Sequence, residues 1–237
     1  MSVDPDDPEF QQRQQALKAR VNRLDRETLA NDPGRGAFFE TVYEQAEGDP
    51  AGIPWADLRP KDRLIDWLAA NPGKGRSAID VACGLGDNAE AISDAGYTTA
   101  AFDGSAKAID WARQRFLQSR VDYQVADLLK LPETWCGHFD LVNECYTIQS
   151  VPPPLHEAMT RAIASLVRPG GTLLVYTRVR PEGSTADGPP WPLTPVETGL
   201  FEALGFREQA GERFDLVRID GSLSPHLFAV WRRIAGA

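Results

Sequence analysis

The 237-residue chain predicts an α/β fold: a mostly parallel sheet with helices on both faces, preceded by an N-terminal helical cap. Three observations predict it. From Ser77 onward, short apolar runs alternate with stretches of helical period, the pattern of strands joined by crossover helices. The first run, Ala78 to Ala82, carries an acid at Asp80 and ends at Gly84-x-Gly86, a strand running into a tight turn and a helix N-terminus. The chain closes on two long strand candidates near enough in sequence to pair as an antiparallel hairpin.

Composition narrows the function. A formal charge of −9 and a pI near 4.9 argue against a nucleic-acid partner, which would require a basic footprint. The densest basic stretch, Arg113 to Arg120, reads as the solvated face of one helix. No run approaches the 18 or so apolar residues of a membrane helix. Met1 to Glu9 is acidic and proline-containing rather than basic and apolar, so a cytoplasmic location and no membrane partner are expected. Cys83, Cys136 and Cys145 are odd in number and widely spaced, with no Cys-x-x-Cys, so neither a disulfide framework nor a zinc site is expected.

Taken in order, the chain starts with a leader over 1–9, expected to be disordered. A cap over 10–60 follows. Phe10 to Leu29 places Leu17, Val21, Leu24 and Thr28 at helical spacing, and a second helical pattern around Phe38-Phe39-x-x-Val42-Tyr43 follows the break at Asp32-Pro33-Gly34. Trp55, in the irregular segment Gly52 to Leu58, reads either as packing or as an indole face for a cationic ligand. The main domain, 61–237, begins with a helix over Lys61 to Ala70. Strands are expected at Ala78–Ala82, Thr98–Phe102, Val121–Ala126, Phe139–Asn143 and Thr172–Thr177. The helices between them run from Asp87 to Ala95, from the cap Ser105 through Ser119, and along the stripe Leu155, Met159, Ala162, Ile163, Leu166, which Arg168-Pro169-Gly170-Gly171 terminates. Pro181 to Leu193, with four prolines and Trp191, must be a loop. Thr194-Pro195-Val196-Glu197 fits a capping box, and Phe206–Ile219 and His226–Ile234 form the hairpin around Asp220-Gly221-Ser222.

The glycine turn alone is equally a plain strand-to-helix connection. Its neighbours give it meaning. Asp80 lies in the first strand, Asp103 ends the second and Asp127 follows the third. Asp103 stands 17 positions beyond Gly86, the arrangement in which a carboxylate accepts both hydroxyls of a ribose held over the turn. An adenosine-bearing ligand follows. A nicotinamide dehydrogenase competes, since Gly84-x-Gly86-x-x-Ala89 can be read as its fingerprint, but no Tyr-x-x-x-Lys relay is present and Asp80 is not part of that pattern. A nucleotide hydrolase lacks its Gly-x-x-x-x-Gly-Lys-Ser/Thr loop.

Asp80-x-Ala82-Cys83-Gly84-x-Gly86, Asp103-x-Ser105, Ala126-Asp127-Leu128, Phe139-Asp140-Leu141-Val142 and Pro169-Gly170-Gly171-Thr172, in that order, resemble the class I S-adenosylmethionine-dependent methyltransferases over Ser77 to about Thr177. The resemblance implies a Rossmann-like seven-stranded sheet of order 3-2-1-4-5-7-6 with the last strand antiparallel. It implies that Ala82, Cys83, Gly84 and Gly86, anchored by Asp80, hold the methionine part of S-adenosylmethionine. Asp103, with Gly104 and Ser105 in the same motif, would take the ribose hydroxyls, Asp127 and Leu128 the adenine, and Asn143 and Glu144 would lie beside the methyl group. The family usually has Gly where this chain has Ala82, a small residue tolerated if its φ is negative. Ile53-Pro54-Trp55 and Pro189-Pro190-Trp191-Pro192-Leu193 are also similar to segments of thiopurine and thiol methyltransferase-like proteins, in which a tryptophan packs on the sulfonium end.

The expected activity is in-line transfer of the sulfonium methyl to a nucleophilic S, N or O atom of a small molecule; a non-catalytic protein that kept the cofactor pocket is the alternative. A thiolate or amine attacks unaided, whereas a hydroxyl needs a proton acceptor. Glu144, Tyr146 and His156 are the candidates, each with a structural reading beside it: a cap, packing and a solvated helix residue. No metal site is expected.

Overall fold

The computed structural model describes residues 4–29, 32, 34–186, 188–218 and 221–236. Its seven strands are β1 (Ser77–Val81), β2 (Thr98–Asp103), β3 (Asp122–Val125), β4 (Phe139–Cys145), β5 (Val167–Arg178), β6 (Phe206–Val217) and β7 (Leu223–Arg233), in the sheet order β3-β2-β1-β4-β5-β7-β6. β3 is parallel to β2, β4 is parallel to β1 and β5, and β7 runs antiparallel to both β5 and β6. The expected Rossmann-like architecture is therefore present. Among the described residues no helix is long and apolar enough to cross a membrane.

The chain folds as two compact units, Met1–Gly75 with Cys83–Asp127, and Arg76–Ala82 with Leu128–Ala237. The first unit holds helices α1 (Pro8–Thr28), α2 (Gly36–Gln45), α3 (Asp62–Ala70), α4 (Asp87–Asp94) and α5 (Ala106–Arg115), together with β2 and β3. Asp7 caps α1 by accepting from the Glu9 amide, with Pro8 just inside the helix, so helical structure begins before the expected Phe10. Pro33 of the expected break lies outside the described residues. Phe38, Val42 and Tyr43 of α2 pack with Ile53, Leu85 and Ala108, with Trp55 and Trp111 against them, so the N-terminal helices share a core with the glycine turn and α5. A second cluster, Ala89, Ala101, Ile109, Ala112, Val121 and Tyr123, joins α4 and α5 to β2 and β3. α5 stops at Arg115 rather than Ser119, because Phe116 leaves the helical region at φ −120°.

The second unit holds α6 (His156–Leu166) and α7 (Pro195–Ala203) with β1, β4, β5, β6 and β7. β1 is buried along nearly its whole length, as befits a central parallel strand covered on both faces. β5 starts at Val167, five residues earlier than the sequence predicts. α6 ends at Leu166 and Arg168-Pro169-Gly170-Gly171 forms an irregularity opposite Phe139 and Leu141 rather than a loop. Gly171 is needed there, since a Cβ would lie 2.9 Å from the Phe139 carbonyl oxygen. α7 has the expected capping box, Thr194 with Glu197. β6 is exposed along most of its length and carries Arg207, Glu208, Glu212, Arg213 and Asp215, charges that blunt an edge strand against further pairing. Ile219 and Asp220 of the expected hairpin lie outside the described residues.

One buried ion pair stiffens the first unit. The Arg35 guanidinium donates to Asp25 Oδ2 at 2.5 Å, both side chains are at most 5% exposed, and the guanidinium lies 4.4 Å from the centre of the Phe38 ring. Removing one partner leaves a buried charge uncompensated. Asp25→Ala should therefore lower the unfolding free energy by about 3 to 5 kcal/mol, measured by denaturant titration.

Candidate functional site

In the first unit the turn after β1 is built from left-handed backbone. Gly84 and Gly86 have φ of 53° and 91°. A Cβ on Gly86 would lie 2.4 Å from Tyr123 Oη, and one on Gly84 3.1 Å from Tyr43 Oη, so glycine is required by conformation at both and by space at Gly86. Asp103 closes the turn: its Oδ2 accepts from the Gly84 amide at 3.0 Å and its Oδ1 from the Ser105 amide at 2.9 Å. Burial raises the Asp103 carboxyl above its ordinary value, with the Ser105 and Gly84 amides pulling the other way. Ser105 is wholly buried and caps α5 by accepting from the Ala108 amide, while its hydroxyl donates to Glu40 Oε2 at 2.6 Å. Gly104 and Asp127 are exposed beside it, and Cys83 is half-buried in the turn with its amide donating to the Phe102 carbonyl.

Four residues that the sequence reading did not single out complete this half. Tyr43, from α2, is buried, and burial together with the neighbouring Asp103 lifts its phenol well above the ordinary value. Trp55 Nε1 donates to Tyr43 Oη at 2.9 Å, and its ring meets Phe39 edge-on at 5.3 Å. Glu40 accepts from the Lys107 amide as well as from Ser105, placing an acid at the N-terminus of α5 where the helix dipole favours it. Arg115 is not on a solvated face: it donates to the Leu85 carbonyl at 2.6 Å and grips Asp87 with two nitrogens at 2.7 and 2.8 Å, tying the turn to the start of α4. Trp111, on α5, meets Tyr43 edge-on at 6.5 Å. A surface cleft of about 340 Å³ between α1 and α2, lined by Leu17, Val21, Val42 and Gly52 among others, includes none of the turn residues.

In the second unit the ends of β1 and β4 carry buried polar groups. Asn143 Nδ2 donates to Asp80 Oδ1 at 2.7 Å across the β1–β4 pairing, with both residues almost wholly buried. Ala82, at the end of β1, has φ of 50°, so the proviso of negative φ fails and an alanine stands in a conformation made for glycine. Glu144 is 0% exposed. Its Oε1 accepts from the Thr147 and Ile148 amides at 2.8 and 3.1 Å, while its Oε2 has no hydrogen-bond partner among the described residues. Burial pushes its carboxyl up to about 7 against the pull of those two amides. Tyr146 has φ of 64° and its hydroxyl lies 2.9 Å from His226 Nε2. His156 is buried rather than solvated: its Nδ1 lies 2.6 Å from Glu197 Oε1 and its Nε2 2.9 Å from the Val151 carbonyl oxygen, a tether between α6 and α7. Leu128 is buried. Trp191 is buried in its own loop, its ring so close to Gly188 that a Cβ there would lie 2.3 Å from it.

Residues 78–171 match the family model described as a methyltransferase domain. The sheet order is the one that the resemblance to class I S-adenosylmethionine-dependent methyltransferases implies. Over 116 residues the chain is 37% identical to a ubiquinone biosynthesis O-methyltransferase of Xanthomonas campestris pv. campestris, covering 48% of each. It thus spans about half the length of the curated relatives it matches. The fold is similar to the 1,6-didemethyltoxoflavin-N1-methyltransferase of Burkholderia thailandensis, solved with 1,6-didemethyltoxoflavin and S-adenosylhomocysteine (TM-score 0.60, 19% identity, 84% of this chain and 87% of that one). A structure solved in work on the conversion of a disulfide bond into a thioacetal group in echinomycin biosynthesis gives a TM-score of 0.68 at 19% identity, over 84% of this chain and 92% of that one.

Two substitutions test the strand ends. Left-handed φ costs a non-glycine residue about 1 to 2 kcal/mol, and glycine's extra freedom in the unfolded chain returns roughly 0.5 to 1. Ala82→Gly should therefore stabilise the protein by about 0.5 to 1 kcal/mol in chemical denaturation. Glu144 titrates higher folded than unfolded, so its contribution to stability is complete below the ordinary glutamate range and is lost as pH rises through about 7. At about 1.4 kcal/mol per pKa unit, the loss is roughly 3 kcal/mol. Glu144→Gln should remove this dependence, gaining on the wild type by about that amount between pH 4 and 9. Parallel stability–pH curves for the two proteins would count against a buried, unpaired carboxyl.

Proposed function

We propose that this chain is an S-adenosylmethionine-dependent methyltransferase that moves the sulfonium methyl to a nucleophilic atom of a small molecule by in-line displacement. The observation that carries this reading is the Asp103 carboxylate over the Gly84–Gly86 turn. The Gly84 and Ser105 amides orient it, the Gly104 amide also donates to it, and a carboxylate's roughly four acceptor sites still leave room for a hydroxyl, the chemistry a ribose diol requires. The glycines leave the backbone of the turn open to close approach, so the residues present fit the adenosyl group.

When bound, S-adenosylmethionine supplies a methyl already activated by the sulfonium charge. The protein's own task is then alignment and exclusion of water, and positioning alone is worth roughly 7 to 11 kcal/mol. We assign Ala82 to Gly86, anchored by Asp80, to the methionine part, Asp103 with Gly104 and Ser105 to the ribose, and Asp127 and Leu128 to the adenine. Asn143 and Glu144 are assigned to the methyl end, and the Trp55 indole to the cationic part of the ligand. The relatives named for O-methyl transfer in ubiquinone biosynthesis favour an oxygen acceptor, and the acidic surface suits a small molecule better than a polyanion.

Isothermal titration with S-adenosylmethionine and S-adenosylhomocysteine tests the reading directly. Both should bind. Asp103→Ala, losing two hydrogen bonds to a charged group at about 1.5 to 3 kcal/mol each, should weaken binding by at least about 100-fold. Heat with NADH and none with either ligand would overturn the assignment.

A further inference from the structure

Beside the strand ends of the second unit lies a pair that the transfer reaction as described does not use. Tyr146 follows β4, and its amide donates to the Tyr176 carbonyl, so the ladder holds its strained backbone in place. Strain of this kind in a non-glycine residue persists only where the surroundings over-determine it, and it concentrates at functional sites. The Tyr146 hydroxyl lies 2.9 Å from His226 Nε2. His226 is 1% exposed and opposite Arg178 in the β5–β7 pairing, so it stands at the end of the sheet where β4 and β5 finish, the end at which open α/β sheets bind their ligands.

The tautomer is set by geometry. His226 Nδ1 lies 2.6 Å from the Ser224 carbonyl oxygen, which can only accept, so Nδ1 carries a hydrogen. In the neutral ring Nε2 is therefore a bare lone pair, and the Tyr146 hydroxyl donates to it. Groups facing the imidazole include Phe214 of β6, stacked at 5.5 Å, Tyr176 at 5.9 Å and Arg178 of β5, and Tyr146 itself. The Arg178 guanidinium lies 5.8 Å from the Tyr146 ring centre, and its charge opposes protonation of His226 while favouring negative charge on the phenol oxygen. An imidazole nitrogen behind a half-buried tyrosine hydroxyl can take the proton that the hydroxyl gives up.

We propose that Tyr146 and His226 form a proton relay that accepts the proton of a phenolic or enolic hydroxyl acceptor. This rests on the methyltransferase reading and names the acceptor class. As the acceptor oxygen forms its bond to the methyl carbon, the carbon–sulfur bond breaks with its electron pair left on sulfur. The acceptor's proton passes to Tyr146 Oη while the tyrosine's own proton passes to His226 Nε2. The products are the methyl ether, the neutral thioether and an imidazolium, which returns its proton to water by the reverse path. Tyr146 is the catalytic residue, and His226 positions it and stores the proton.

Three measurements on the full chain test the relay. Binding of S-adenosylhomocysteine is followed by calorimetry, methyl transfer to 4-nitrocatechol and to thiophenol by release of S-adenosylhomocysteine, and ionisation of 4-nitrocatechol bound to the S-adenosylhomocysteine complex by its visible absorbance. Tyr146→Phe, which keeps the ring, should lower kcat for 4-nitrocatechol by about 100-fold or more with KM little changed. It should leave transfer to thiophenol within a few-fold and raise the pH at which the bound catechol ionises. His226→Gln should do the same and remove the acidic limb of the kcat profile. Tyr146→Phe guards against misfolding of the buried histidine variant. Wild-type kcat and an unmoved ionisation in Tyr146→Phe would overturn the relay, as would a wild-type protein that binds S-adenosylhomocysteine yet neither binds nor methylates the catechol. Absence of S-adenosylhomocysteine binding would instead sink the methyltransferase reading itself.

Discussion

The hydrogen bond from the Gly84 amide to the Asp103 carboxylate is the interaction on which the first unit depends. The turn is left-handed at Gly84, and the buried carboxylate is met on its other oxygen by the Ser105 amide, with the Gly104 amide donating to it as well. Burial still raises the group's pKa, so the arrangement keeps a net cost in place at neutral pH. The surroundings are organised to hold that cost. Ser105 is locked by capping α5 and by donating to Glu40 of α2, and Arg115 fixes the far side of the turn through Leu85 and Asp87. The N-terminal helices are thus part of the support of the turn rather than an added cover.

The second unit repeats the logic with different chemistry. Asn143 donates to Asp80 Oδ1 across β1 and β4, and His156 and Glu197 tether two helices; these are buried polar groups with work inside the fold. Glu144 and Tyr146 carry costs of their own. Glu144 leaves one oxygen bare, and Tyr146 holds a backbone conformation that costs a non-glycine residue about 1 to 2 kcal/mol. Such features survive in a marginally stable fold only when something offsets them, and both lie at the end of β4.

Much of this was legible in the sequence, and the reasons are physical. Period-2 and period-3.6 hydrophobic patterns are local, so the strand and helix order, the Thr194 capping box and the C-terminal hairpin could be read directly. The glycine turn and Asp103 were legible because a left-handed turn demands glycine and because their separation is fixed by one intervening helix and strand. What stayed hidden is non-local. Tyr43 reaches Gly84 across 41 positions of chain, Arg115 reaches Leu85 across 30, and His226 reaches Tyr146 across 80. No spacing rule links such pairs. The sign of φ at Ala82 was hidden for a different reason: alanine carries no mark of left-handed backbone, and only the path of the chain into Gly84 imposes it.

The contrast between the two units bears on acceptor chemistry. The first offers hydrogen-bond acceptors and aromatic faces, which suit a ribosyl group and a cation, and none of its groups at the turn is arranged to move a proton. A thiolate or amine acceptor would need nothing further, because a lone pair is already available for displacement. A phenol, with a pKa near 10, is protonated at neutral pH and must lose that proton as its oxygen becomes positively charged in the transition state. Tyr146 and His226 are matched to that need. The tyrosine hydroxyl lies within hydrogen-bond distance of the imidazole Nε2, and the adjacent Arg178 makes transient negative charge on the tyrosine less costly. On the proposed reading, a histidine buried behind a strained tyrosine where β4 and β5 end serves a hydroxyl acceptor and would be idle in thiolate transfer.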